Sequence, residues 1–428
     1  MTTQGIVRGY YAPHPPHYTY LGIPYARPPT RYDRFKAPKP TQPWSGIFEA
    51  THRVKCLQPD GSGDENCLVV NVFTPENATS IPVIVHFHDG GFQKGWGSFK
   101  VPLKLLEKSF VFVSFNYRLG VLGFLCLGTE TVPGNAGLKD QVAALYWVQR
   151  NIAKFGGNPS DITVYGTGTG ASSIEILLLS GLTTDLFQKA IIESGSALSP
   201  TTITHEPISD VLNLAKSLGI EKAGLETIKD FYQLPVKKFL NSSTIFLPCV
   251  EKELRLSHSI IDKDPRETFQ SKKYQHIPMM IIYTNAEEVS IVTGVDERFK
   301  TIPEDFQGLL PHDLVFENSD TKHKVAKLVK DFYFAEIEST VSITQSYVDF
   351  INDVFLEYPV INDPTPLTTP LISEIWQPVV THTSDGNVIL RNILCLIFNG
   401  NMKNEELSGQ QYTFWDRIYN KFYIQTFQ

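Results

Sequence analysis

The stretch Asp161-Ile-Thr-Val-Tyr-Gly166-Thr-Gly168-Thr-Gly170-Ala-Ser-Ser173 decides the fold. Its first residues are predicted to form a buried strand, and the apolar residues 174–179 that follow are predicted to form a helix. A Gly-x-Xaa-x-Gly turn between a strand and a helix is typical of a nucleophile elbow, which holds its middle residue on a sharp turn above the sheet. That residue is normally serine. Here it is Gly168, whose hydrogen side chain cannot attack a carbonyl group.

Short apolar runs on either side of this stretch alternate with helical patterns. The runs lack in-and-out alternation, as expected of strands that helices cover on both faces. The order strand, helix, strand favours a doubly wound, mostly parallel α/β sheet with helices on both faces. Because no repeat or low-complexity linker interrupts the chain, we interpret residues 1–428 as one domain. The predicted strands are 81–87, 109–115, 162–165, 190–192 and 277–283, and the predicted helix at 138–155 ends at Gly156-Gly157.

The composition excludes some classes of function. The chain has 428 residues, a net charge of −7 and only 19% charged residues, so it has no electrostatic reason to bind nucleic acid or an anionic bilayer. No apolar run approaches the ~20 residues that span a membrane. The N-terminus lacks the pattern of a signal peptide, so the chain is interpreted as cytosolic or as a mature or trimmed domain with an added Met1. Sequons at Asn77 and Asn241 would accept glycans in a secreted protein and slightly favour an extracellular location.

The five cysteines fall into two groups. Cys56 and Cys67 bracket a short polar loop whose ends could meet in a disulfide. Cys126, Cys249 and Cys395 lie in apolar stretches, which is typical of buried free thiols. None of the five has the spacing of metal ligands, and we predict neither a metal nor another cofactor.

Many short motifs occur in one order along the chain. They are Gly22-Ile-Pro-Tyr-Ala26, Glu65-Asn-Cys-Leu68, Asn71-Val-Phe-Thr-Pro75, His88-Asp-Gly-Gly-Phe92, Asn116-Tyr-Arg-Leu-Gly120, Gly134-Asn135, Asp140-Gln141, Phe155-Gly-Gly157, Ser194-Gly-Ser196, Pro248-Cys-Val-Glu251 and Asp264-Pro265. In this order and at these spacings they resemble the type-B carboxylesterase/cholinesterase family over nearly the whole chain. The resemblance implies an α/β-hydrolase fold.

The resemblance also implies a Ser–Glu–His triad, which can be tested position by position. The nucleophile position is Gly168, and the segment 284–289 places the acid at Glu288. The segment 390–398 fits the apolar half of the family's histidine loop and places Leu390 at the position of the base. A preceding strand at 370–376 supports this register. The nucleophile and the base are therefore predicted to be lost, and Glu288 is interpreted as a leftover polar residue rather than a working acid.

The oxyanion hole implied by the family consists of backbone N–H groups of Gly90, Gly91 and Thr169, which no side-chain substitution removes. Asp89 replaces a glycine beside them and is predicted to bring a negative charge close to the hole. Chemistry by a neighbouring hydroxyl, from Thr167 or Thr169, is disfavoured because the elbow geometry aims both side chains away from its apex.

These losses lead to three functional hypotheses. The first is a non-catalytic recognition or cell-adhesion protein at the cell surface that resembles the neurotactin, glutactin, gliotactin and neuroligin group and binds another protein. The second is sequestration of an apolar, ester-like small molecule in the remaining pocket. The third, least favoured, is an active carboxylesterase with an atypical triad. Relative to the family, the chain is shortened between residues 289 and 340 and beyond 420, and the Cys56–Cys67 loop is also short.

An aromatic stripe near the C-terminus has two interpretations. Phe414-Trp415, Ile418-Tyr419 and Phe422-Tyr423 recur at helical spacing. A stripe of this kind is typical of a buried core. The alternative is a helix that packs against a second copy of the chain, because relatives in the family dimerise.

Overall fold

A computed structural model describes residues 1–29, 31–97, 102–220, 225–255, 257–283, 301–335, 340–359, 379–382, 388–391, 393–396, 402–403 and 409–423. The chain divides into two compact units. The first consists of Met1–Glu193 with Thr202–Met279, and the second of Ser194–Thr201 with Met280–Gln428. The assignment of residues 1–428 to one domain stays a prediction.

The first unit contains a sheet with a parallel centre. Its strands are β1 Ile6–Arg8, β2 Tyr10–Pro13, β3 Pro16–Pro24, β4 Ile47–Glu49, β5 Val69–Pro75, β6 Ile81–Phe87, β7 Val111–Phe115, β8 Gly157–Thr167 and β9 Lys189–Glu193. Strand β6 pairs in parallel with β7 and β8, and β8 pairs in parallel with β9. Strands β5, β3 and β2 continue from β7 in antiparallel pairs, and β1 pairs with β4 apart from this sheet.

The helices of this unit connect the strands. The longest, α3, is Ala136–Asn151, and its residues Leu138, Leu145 and Val148 are fully buried, as their spacing predicts. A 3-10 turn extends it to Phe155, where Gly156 ends it with a left-handed φ of 83°. The others are α1 Leu103–Glu107, α2 Gly120–Phe124, α4 Thr169–Leu179, α5 Pro207–Ser217, α6 Leu225–Gln233 and α7 Pro265–Gln270, with 3-10 turns at Arg31–Asp33, Ile152–Phe155, Gly181–Thr183 and Val236–Asn241.

The second unit contains short strands and a helical cluster. The elements are β10 Met279–Tyr283, a 3-10 turn at Gln307–Leu309, α8 Ser319–Phe334, α9 Thr340–Asn352, a π-helical turn at Asp353–Glu357, β11 Val379–His382, β12 Val388–Arg391, β13 Ile393–Leu396, β14 Met402–Lys403 and α10 Gly409–Phe422. Strand β10 pairs in parallel with β13, β13 pairs antiparallel with β14, and β11 forms a separate antiparallel ribbon with β12.

The aromatic stripe lies on α10 and packs inside the second unit. Trp415, Ile418 and Tyr419 are buried in its hydrophobic core. The indole N–H of Trp415 donates a hydrogen bond to the hydroxyl of Tyr333 at 2.7 Å. The stripe is therefore core, and dimerisation through α10 stays a prediction. In the parts of both units that the structure describes, no helix has the length and apolarity needed to cross a bilayer.

Two disulfides lie in the first unit. Cys56 and Cys67 are bonded, as predicted. The interpretation of Cys126 and Cys249 as free thiols is wrong, because these two residues form the second disulfide across a sequence separation of 123 residues. Apolar surroundings are as typical of a buried disulfide as of a buried thiol, so the local sequence could not separate the two. For Cys395, which lies in β13, the thiol stays a prediction.

Candidate active site

The backbone around Gly168 has the form of a nucleophile elbow. Strand β8 ends at Thr167 and helix α4 begins at Thr169, so Gly168 alone makes the turn, with φ 52° and ψ −123°. Its N–H donates a hydrogen bond to the carbonyl of Glu193 at the end of β9, at 2.9 Å. Residues with a side chain rarely adopt this backbone conformation, and they do so mainly at functional turns.

The two outer glycines of the turn are required by close backbone contacts. A Cβ atom at Gly166 would lie 2.5 Å from the carbonyl group of Gly170, and one at Gly170 would lie 2.3 Å from the carbonyl oxygen of Phe87. Neither contact can relax without moving a strand or a helix. The local sequence pattern therefore reports a real steric requirement of the strand–turn–helix junction.

The carboxylate of Asp89 occupies the place of the missing side chain. A Cβ atom at Gly168 would lie 2.5 Å from Cγ and Oδ1 of Asp89 and 2.8 Å from Oδ2. Oδ1 accepts hydrogen bonds from the backbone N–H of Thr169 at 2.8 Å and from its hydroxyl at 2.9 Å. The carboxylate thus lies at the N-terminus of α4, where the helix dipole favours an anion.

This arrangement changes two sequence-based expectations. Asp89 was predicted only as a charge near the oxyanion hole, whereas the structure puts its carboxylate at the apex of the elbow. The hydroxyl of Thr169 was expected to face away from the apex, whereas it contacts the group that fills the apex. Both differences have one cause: residues 89 and 169 approach each other only in the tertiary structure.

The three predicted oxyanion-hole donors differ in whether they already donate a hydrogen bond. Thr169 N–H is engaged by Asp89. Gly90 and Gly91, with φ of 142° and 63°, form a turn in which the Gly90 carbonyl accepts bonds from the N–H groups of Gln93 and Lys94. Among the described residues, the N–H groups of Gly90 and Gly91 have no acceptor. Of the three N–H groups, only that of Thr169 is thus hydrogen-bonded within the described residues.

Two buried histidines precede the loop that carries Asp89, Gly90 and Gly91. The ring of His88 stacks on Tyr117 with centroids 4.3 Å apart, and its Nδ1 lies 2.9 Å from the carbonyl oxygen of Asp89. Burial lowers the pKa of His88 to about 4, against a smaller opposing effect of Asp89. Burial, reinforced by His88, lowers the pKa of His86 in β6 to about 4 as well. Both rings are therefore neutral near pH 7, and His88 contacts the loop directly.

The other two predicted triad positions are described only in part. Glu288 and the predicted strand at 370–376 lie outside the described residues. Leu390 lies in β12, opposite Val380 of β11, rather than in the expected loop. A run of Val, Ile and Leu favours a strand, and that propensity overrides the loop expected from the family. The assignment of Leu390 to the position of the base stays a prediction.

The predicted glycan acceptors differ in their settings. Asn77 is exposed in the turn that follows β5. Asn241 is the last residue of the 3-10 turn Val236–Asn241. Glycosylation at either position stays a prediction. Among the described residues, no group of three or more His, Cys, Asp or Glu side chains could hold a metal ion.

Comparison with known proteins identifies relatives of this chain. The model of the carboxylesterase family matches residues 1–367. Esterase FE4 of Myzus persicae is 37% identical over 74% of this chain and 61% of its own length. Juvenile hormone esterase of Heliothis virescens is 33% identical over 80% of this chain and 66% of its own. The chain thus spans between six tenths and two thirds of the length of these relatives.

A solved structure shows the same fold. Juvenile hormone esterase from Manduca sexta, with OTFP covalently attached, superposes with a TM-score of 0.81 at 25% sequence identity, over 98% of this chain and 99% of that one. The predicted α/β-hydrolase fold is therefore confirmed.

The comparisons correct the functional prediction. The relatives are named as esterases and hydrolases, among them an acylcarnitine hydrolase of Mus musculus, and not as adhesion or recognition proteins. The prediction of a non-catalytic recognition or cell-adhesion protein is contradicted by these findings. That prediction rested on Gly168, on Leu390 at the position of the base, on Asp89 beside the oxyanion hole and on the short Cys56–Cys67 loop. By its sequence and its fold, this chain belongs to the carboxylesterase family.

Proposed function

We propose that the protein hydrolyses carboxylic esters. The observation that carries this proposal is the pair of backbone N–H groups of Gly90 and Gly91. Neither group has a hydrogen-bond acceptor among the described residues, and both follow Asp89, whose carboxylate lies at the elbow. Donors of this kind hold the negative charge that develops on a carbonyl oxygen when a nucleophile adds to an ester. Removing one such donor from a hydrolase typically lowers kcat by about 10²–10³.

The usual serine route is not available at the elbow. Gly168 has no oxygen to attack the ester, and we propose that Gly168, Glu288 and Leu390 are the degenerate positions of the family's triad. Hydrolysis here then uses water rather than a serine as the attacking group. An active carboxylesterase is the third of the hypotheses drawn from the sequence, and the esterase names of the relatives support ester hydrolysis.

Hydrolysis of p-nitrophenyl acetate tests the proposal. We expect saturable release of p-nitrophenolate that scales with protein concentration and exceeds the rate in buffer. The control is the same preparation after thermal denaturation, which keeps every side chain but loses the turn that carries Gly90 and Gly91. A native rate equal to that of the denatured sample would exclude ester hydrolysis.

We also propose that the protein resides outside the cell. The support is the pair of disulfides, Cys56–Cys67 and Cys126–Cys249, because disulfides persist in oxidising compartments and are rare in the cytosol. Expression through a secretory pathway tests this location: the purified protein should carry a glycan that an Asn77→Gln variant lacks. A wild-type protein whose mass equals that of its unmodified sequence would contradict a glycan at Asn77.

A further inference from the structure

We propose that Asp89 is the general base of this hydrolysis and replaces the serine side chain of the family with a carboxylate that activates water. The inference rests on the proposed ester hydrolysis and names the residue that takes a proton from the attacking water. Asp89 is an exposed residue on the loop that also carries Gly90 and Gly91.

The position of Asp89 is the first argument. Its Oδ1 lies 2.5 Å, and its Oδ2 2.8 Å, from the point where a Cβ atom of residue 168 would stand. The carboxylate therefore fills the volume from which a serine at the elbow would approach the ester. A glycine at 168 is what makes this possible, because any larger residue would displace the carboxylate.

The hydrogen bonds of Asp89 are the second argument. Its two hydrogen bonds, from the N–H and the hydroxyl of Thr169, both go to Oδ1 and hold the carboxylate at the apex. Oδ2 accepts no hydrogen bond from the described residues and can accept one from water. A side chain with one anchored and one open oxygen can position a water molecule and take a proton from it.

The neighbouring donors are the third argument. Asp89 immediately precedes Gly90 and Gly91, so a carbonyl oxygen bound to their N–H groups is brought to the loop that carries the carboxylate. The N–H of Thr169 is used by Asp89, which leaves two of the three family donors for the substrate. His86 and His88 do not compete as bases, because both side chains are buried away from a bound ester.

The reaction can be written with every atom accounted for. Water bound to Oδ2 gives a proton to the Asp89 carboxylate while its oxygen forms a bond to the ester carbonyl carbon. The electron pair of the carbonyl bond moves to its oxygen, and the N–H groups of Gly90 and Gly91 hold that oxyanion. The oxyanion then reforms the carbonyl and breaks the bond to the alkoxide. The alkoxide takes the proton from Asp89, which releases an alcohol and a carboxylic acid and restores the carboxylate.

Variants at Asp89 test the assignment in the full chain with p-nitrophenyl acetate. General-base catalysis typically contributes about 10²–10⁴-fold, so Asp89→Asn should lower kcat/KM by at least about 100-fold. Asp89→Gly should lose a similar factor and regain activity when sodium formate supplies a carboxylate. The matched control is Asp262→Asn, which removes the charge of an exposed aspartate elsewhere in the first unit and should keep the wild-type rate.

The outcomes separate this inference from the proposed function. If the wild-type chain does not exceed its denatured control, the ester hydrolysis fails and the inference fails with it. If the wild-type chain is active and Asp89→Asn retains its kcat/KM within about threefold, only the assignment of Asp89 is overturned, because a lost general base costs far more. A fluorophosphonate adduct on Thr169 in the active protein would also overturn it, since the hydroxyl and not water would then be the nucleophile. Rescue by formate, without such an adduct, supports it.

Discussion

Replacing Gly168 with alanine tests the steric account of the elbow. The backbone of Gly168, at φ 52° and ψ −123°, is one that a residue with a side chain adopts at a cost of about 1–3 kcal/mol. The new Cβ atom would also lie 2.5 Å from the carboxylate of Asp89 and would push it away from Thr169. At this exposed position water replaces the two lost hydrogen bonds, so they add about 1 kcal/mol in total, the low end of the usual range of about 0.5–1.5 kcal/mol per bond. We expect Gly168→Ala to lower the free energy of unfolding by about 2–4 kcal/mol.

Chemical denaturation followed by far-ultraviolet circular dichroism measures this change. The matched control is Gly181→Ala in the same unit, where an added Cβ atom meets nothing within 4 Å. That control should leave the stability within about 1 kcal/mol of wild type. Introducing Gly168→Ala into an Asp89→Gly background removes the clash, so only the backbone cost of about 1–3 kcal/mol should remain. Equal stabilities of Gly168→Ala and Gly181→Ala would refute the reasoning.

Two further predictions concern stability. Because burial lowers the pKa of His88 to about 4, the unfolded chain binds a proton near pH 6.5 that the native chain does not, and stability should fall as the pH falls from about 6.5 towards 4. At pH 5 the lowered pKa of His88 reduces the free energy of unfolding by about 2 kcal/mol relative to neutral pH. His88→Gln should remove this part of the pH dependence of the unfolding free energy. An unchanged pH dependence would contradict the prediction. The Cys126–Cys249 disulfide closes a loop of 123 residues, so replacing both cysteines with serine should cost about 2–5 kcal/mol. Denaturation midpoints of the oxidised protein and the double variant measure that cost, and coinciding midpoints would exclude it.

The functional prediction is contradicted by the relatives of the chain, and one contact that bears on it is invisible in the sequence. The motif around Gly168 correctly predicted a turn without a nucleophilic side chain. The inference to the loss of all chemistry also used Leu390, Asp89 and the short Cys56–Cys67 loop, and it did not foresee that a carboxylate fills the place of a side chain at Gly168. In the structure Asp89 stands there, and no pattern around either residue indicates the contact, because 80 positions separate Asp89 from Thr169.

The sequence by itself determined the strand–turn–helix at 161–179, the buried face of α3 and the family of the chain. These features depend on contacts between near neighbours: the backbone conformation of glycine, the period of a helix, and the steric limits at Gly166 and Gly170. Only the tertiary structure decided that Asp89 fills the elbow and that Cys126 bonds to Cys249. Both pairs join residues that are distant in the chain, and such pairs meet only where the packing of the sheet and its loops brings their backbones together.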